Sequence, residues 1–112
     1  MTIDGLAQAY LDHFQQVRVD PRRGGEDTFD AWISVDRLVH SDPEEAWKFV
    51  LRLVELASTD LEALGYIGAG PLEDLVRFHP ALLLDRAESE AGHNSAFREA
   101  LRVARYPGHE EL

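Results

Sequence analysis

Cysteine is absent from this chain, which excludes a disulfide framework, a thiolate metal site and a cysteine nucleophile. A reducing cytoplasm suits such a composition. One domain of 112 residues is also long enough to bury roughly two-thirds of its unfolded surface with no staple. No apolar stretch approaches the ~20 residues of a membrane span. Met1-Thr2-Ile3-Asp4-Gly5 lacks the basic segment and apolar run of a secretory leader, so the expectation is a soluble, unprocessed protein. Basic charge is scarce: 21 acidic residues face 11 Lys or Arg, a net charge of −10. The imbalance is even along the chain, with 11 acids against 6 bases in residues 1–56 and 10 against 5 in residues 57–112. Such a field repels phosphate backbones and anionic membranes, so neither nucleic acid nor membrane is expected as a partner, while a basic protein would be attracted. Solubility alone is the plainer explanation of the same charge.

Alternation of period two is also missing, so no sheet is expected. The usual catalytic patterns are not there either. His13, His40, His79, His93 and His109 form no His-Glu-x-x-His and no i,i+4 pair, so neither a metal nor a cofactor is expected. Ser34, Ser41, Ser58, Ser89 and Ser95 sit in no Gly-x-Ser-x-Gly context.

What is present is helical periodicity. Ile3, Leu6, Ala7, Tyr10, Phe14 and Val17 recur at helix spacing and predict a first helix over residues 1–19. Asp20-Pro21-Arg22-Arg23-Gly24-Gly25-Glu26-Asp27 breaks it and reads as a mobile loop over 20–27. Asp27 or Thr28 caps a second helix to about Val39, whose apolar stripe is Phe29, Trp32, Val35, Leu38 and Val39. Asp42-Pro43-Glu44-Glu45 combines a cap, a first-turn proline and a glutamate three residues after the cap. The helix it starts, running to about Ala57, is apolar nearly all round and is expected to lie at the centre of the packing. Thr59-Asp60-Leu61-Glu62 reads as a capping box for a short fourth helix to Ile67. A fifth helix is expected from Pro71 to Phe78, and a sixth from Pro80 to about Ala91 with Gly92 as terminator. A last helix, capped by Asn94 or Ser95, carries Phe97, Ala100, Leu101 and Ala104 on one face. Residues 105–112 have no periodicity and are expected to fray.

Leu64-Gly65-Tyr66-Ile67-Gly68-Ala69-Gly70-Pro71-Leu72-Glu73-Asp74 is the most constrained stretch. It predicts a tight corner in which Gly68 or Gly70 takes the left-handed conformation and Pro71 opens the next helix. A phosphate cradle is excluded there: no Lys follows the glycines, Pro71 removes a donor, and Glu73 and Asp74 repel an anion. If the corner carries a site, Tyr66, Glu73, Asp74 and Arg77 line it together with Trp32 or Trp47. The bland reading has Glu73 and Asp74 compensating a helix dipole and both tryptophans in the core. Val35–His40 and Glu73–His79 echo one another near a 38-residue offset, close to the period of helical repeats of the HEAT kind.

Tyr66-Ile67-Gly68-Ala69-Gly70-Pro71-Leu72-Glu73-Asp74-Leu75, with Asp42-Pro43-Glu44-Glu45-Ala46-Trp47 before it and Phe97-Arg98-Glu99-Ala100-Leu101 after, resembles a family of small bacterial helical proteins classed as a domain of unknown function. The resemblance covers roughly residues 28 to 104 and implies a compact helical domain with no chemistry to carry over. The resulting expectation is an all-α domain of six or seven short helices in antiparallel hairpins. Its expected role is that of a non-enzymatic module binding a basic partner protein, of the inhibitor or immunity kind, through an acidic helical surface. The rival is a small ligand-binding protein or enzyme with its site at the Gly68–Asp74 corner. A homo-oligomer with an apolar patch on the first or last helix is the third reading.

Overall fold

Pro43 begins a helix as its neighbours dictate: the Asp42 side chain accepts from the Glu45 N–H at 3.2 Å, and Pro43 itself lacks the N–H that would go unpaired there. The computed structural model describes residues 2–19 and 29–106, and among them the fold is all-α, with no strand. The helices are α1 (Ile3–Val19), α2 (Phe29–Ser41), α3 (Pro43–Leu56), α4 (Leu61–Ile67), α5 (Glu73–Phe78), α6 (Pro80–His93) and α7 (Ser95–Val103). The expected loop over 20–27, the Asp27 or Thr28 cap and the tail beyond Tyr106 lie outside the described residues. None of the described helices is long and apolar enough to cross a membrane.

α3 packs against α1, α2, α4, α5 and α7, and Ala46, Phe49, Val50 and Leu53 are wholly buried. Its Trp47 meets Phe97 of α7 edge-on at 5.5 Å. Around it, Tyr10, Ile67, Leu72, Leu75, Val76, Leu83 and Phe97 complete one core with no buried charge among the described residues. Ion pairs bind the periphery. Arg86 grips Glu44 with two bonds of 2.9 and 3.0 Å and lies over the Trp47 ring, while Arg18 reaches Glu62 of α4 at 2.8 Å.

Several local expectations are corrected. The α4 cap is Asp60, which accepts from the Ala63 N–H, rather than Thr59. Gly92 does not stop α6; the helix runs through it to His93, and Asn94 then caps α7. Tyr106 does not fray. It is 3% exposed, and the Arg105 N–H before it donates to Glu73 at 2.7 Å. The glycine corner is not a left-handed turn either. Gly68 is right-handed helical at φ −63°, ψ −43°, and Gly70 has φ −111°. A widened turn, Gly68–Leu72, joins α4 to α5; it is kinked at Gly70, whose ψ of −105° is non-helical, and the Glu73 N–H donates to Gly68 O five residues back. Pro71 is buried inside that turn instead of opening α5. Gly68 is needed for proximity: a Cβ there would lie 1.9 Å from the Ala100 carbonyl oxygen of α7.

The echoed segments touch. His79 Nε2 lies 2.7 Å from the Val39 carbonyl, and the His40 ring packs on Phe78 at 4.1 Å, so the end of α2 is clasped to the α5–α6 junction.

Candidate functional site

On α2, residues four apart share a face, so Val35 and Val39 turn inward while Trp32 and Asp36 stand side by side toward solvent. The widened turn sets α5 opposite them with Asp74 facing across. The result is a small open cleft of about 60 Å³ lined by Tyr10, Trp32, Val35, Asp36, Val39, Gly70, Pro71 and Asp74. Its apolar part is Val35, Val39 and Pro71. Tyr10 is 5% exposed, and its hydroxyl lies 3.3 Å from where a Cβ on Gly70 would sit. Burial, with Tyr66 beside it, pushes the Tyr10 phenol well above its usual range, so it stays a neutral hydroxyl.

The two carboxylates differ in surroundings. Asp36 is 51% exposed and lies 3.7 Å from His40 Nδ1, whose ring nitrogen is held by the Asp36 backbone carbonyl at 2.6 Å. Asp74 makes no hydrogen bond or ion pair among the described residues. Partial burial, then the negative charges of Glu73 and Asp36, raise its pKa above the ordinary Asp range, against the weaker opposite pull of His40 and Arg77. Trp32 is 51% exposed. Unlike Trp47, which has Arg86 over its ring, or Phe14, which has Arg18, Trp32 has no cation over it among the described residues.

Of the residues expected at the corner, Trp32 and Asp74 come together. Tyr66 does not join them: it is half-buried, stacked on Phe14 at 4.8 Å and against Tyr10 at 5.6 Å. Glu73 turns away to hold the Arg105 N–H, Trp47 is in the core, and Arg77 is exposed on the last turn of α5. Trp32, a candidate for the site that the bland reading put in the core, is half-exposed at the rim of the cleft. Tyr10 and Asp36 were not anticipated; the i,i+4 spacing of Trp32 and Asp36 is the one sequence signal that could have found the latter.

A second depression, about 180 Å³ between α1 and the α3–α4 turn, is lined by Gln8, Leu11, Asp12, Gln15, Leu56, Ala57, Asp60 and Ala63. Its polar groups are already occupied: Gln8 donates to Asp12, and Arg18 bonds Gln15 and Asp60. The α2–α5 cleft is the one whose carboxylates lack an arginine or lysine partner within ion-pair distance among the described residues. No group of three His, Asp or Glu among those residues is placed to hold a metal ion.

Residues 21–104 match the model of a family of unknown function (DUF6869). No curated protein and no solved structure matches the chain.

Proposed function

The chain belongs to that family of unknown function, which supplies no chemistry to inherit, and we propose from its geometry that it is a non-enzymatic interaction module. It takes a basic partner protein, of the inhibitor or immunity kind, through the acidic face centred on α2 and α5. One observation carries this reading: a half-exposed tryptophan, Trp32, stands beside two carboxylates, Asp36 and Asp74, that have no arginine or lysine within ion-pair distance among the described residues. Exposed aromatics flanked by charge are common anchors of protein interfaces. Phe78, also half-exposed, extends the apolar surface beyond His40. The net charge of −10 would steer a basic protein toward this face. A bacterial cytoplasm is the proposed setting, on the family resemblance and the absence of cysteine.

The concavity favours a second reading, a site for a small organic cation, because the same aromatic and carboxylates would receive a free amine. Affinity capture from a bacterial lysate separates the two when run at low and high salt, with the wild-type chain and the Asp36→Asn, Asp74→Asn double variant as baits. A basic protein held by the wild type at low salt, released at high salt and held less by the variant is the expected result. Capture indifferent to both salt and variant, or no capture, contradicts the module.

A further inference from the structure

Resting on the interaction-module reading, we infer that the α2–α5 cleft is a socket for a single arginine side chain of the partner, its guanidinium lying on Trp32 and donating to Asp36 and Asp74 across the cleft. The chain supplies its own template elsewhere. Arg86 lies 5.7 Å over the Trp47 ring while its two nitrogens hold the Glu44 carboxylate. Around Trp32 the aromatic plate and the acceptors are present, and the cation is missing from the described residues.

The shape of the cleft selects between the two basic side chains. Asp36 projects from α2 and Asp74 from α5, so one occupant must address acceptors on opposite walls while covering a flat indole. A guanidinium is planar, carries five donors in a fixed fork and is weakly hydrated, so it stacks and bridges at once. An ammonium is a compact, strongly hydrated point charge, and an open cleft desolvates it poorly. The neutral Tyr10 hydroxyl and the apolar Val35, Val39 and Pro71 suit the methylene stem of the side chain. The charged groups lining the site are Asp36 of α2 and Asp74 of α5, and His40 and Arg77 lie near enough to act on Asp74 through charge. Arg77 and a protonated His40 oppose the cation, and with the two carboxylates ionised and His40 neutral the local charge is negative.

The test is an NMR titration of the full chain at low salt with acetyl-Gly-Arg-Gly-amide, its lysine counterpart and deca-arginine. The arginine tripeptide should shift the Trp32 indole N–H and leave that of Trp47 in place, and should bind at least about fivefold tighter than the lysine one. Trp32→Ala should weaken it about fivefold or more, Trp32→Tyr should retain most of the affinity, and the Asp36→Asn, Asp74→Asn pair should cost about tenfold or more. Each variant is first checked to melt cooperatively and at no lower temperature than the wild type. Equal affinity for the two tripeptides, or an arginine response untouched by Trp32→Ala, overturns the socket. If deca-arginine still binds in a salt-dependent way to wild type and variants alike, the socket falls and the acidic module stands. If deca-arginine does not bind the wild type, both readings fall.

Discussion

Two glycines in one stretch serve opposite ends. Gly65 has nothing within 4 Å of where a Cβ would stand, and it lies inside α4, so Gly65→Ala should stabilise the fold by about 0.5–1 kcal/mol through a less flexible unfolded chain. Gly68→Ala would drive its methyl group into the Ala100 carbonyl and Val103, and should cost about 3 kcal/mol, the upper part of the range for overpacking. Urea melts of the two variants should move in opposite directions; parallel shifts would contradict the close crossing of α4 and α7. Asp74 carries a different burden. Burial, Glu73 and Asp36 raise its folded pKa above the unfolded one. A carboxyl shifted that way favours the fold while protonated; the contribution is complete below its unfolded pKa and is lost as pH rises through the folded one. Asp74→Asn should therefore raise Tm near neutral pH and leave it unchanged below about pH 3.5, where the wild-type carboxyl is protonated. The same substitution weakens the proposed socket, the opposition between stability and binding expected of a functional charge. Equal shifts at both pH values would rule out the carboxylate as their cause.

At the scale of elements, the start signals were legible because capping is local chemistry: Asp42-Pro43 and Asn94 act within one turn of themselves, and α3 and α7 begin where those residues say. The form of the widened turn was not legible. Three glycines and a proline in a row predict a break, and the backbone does break, with non-helical angles at Gly70 (φ −111°, ψ −105°), but without the left-handed glycine that was expected; the close approach of α7 at Gly68 lies beyond any local pattern. Trp32 was open to two readings, site or core, for a related reason. Periodicity locates the apolar stripe of α2, but the burial of Ala31, Val35 and Val39 already uses the available contact, which leaves Trp32 on the rim. Tyr106 belongs to no periodic run, and only the folded chain brings it to the core. The cleft itself joins residues near positions 10, 36 and 74, and no local pattern spans such distances. The widened turn makes a prediction of its own. Deleting Ala69, which is exposed, shortens the kinked turn by one residue and should rotate α5 by about 100°, withdrawing Leu75 and Val76 from the core and Asp74 from the cleft. Near-UV circular dichroism should show lost tertiary packing and a broad melt, whereas a sharp native transition would mean that the turn does not set the register.

For the molecule as a whole, the charge of −10 acts at a distance while the cleft acts on contact, and kinetics separates them. Between about 20 and 300 mM salt, the association rate of a basic partner should fall at least tenfold while its dissociation rate changes little, as surface-plasmon measurements would record. A salt effect confined to dissociation would place the attraction inside the contact rather than in the long-range field. The α5 helix links that contact to the remainder of the fold through neighbouring carboxylates with different tasks: Asp74 looks into the cleft while Glu73 grips the backbone just past α7. Both carboxylates stand in the first turn of this six-residue helix. A guest held by Asp74 would therefore sit one residue away from the group that fastens the backbone just before Tyr106.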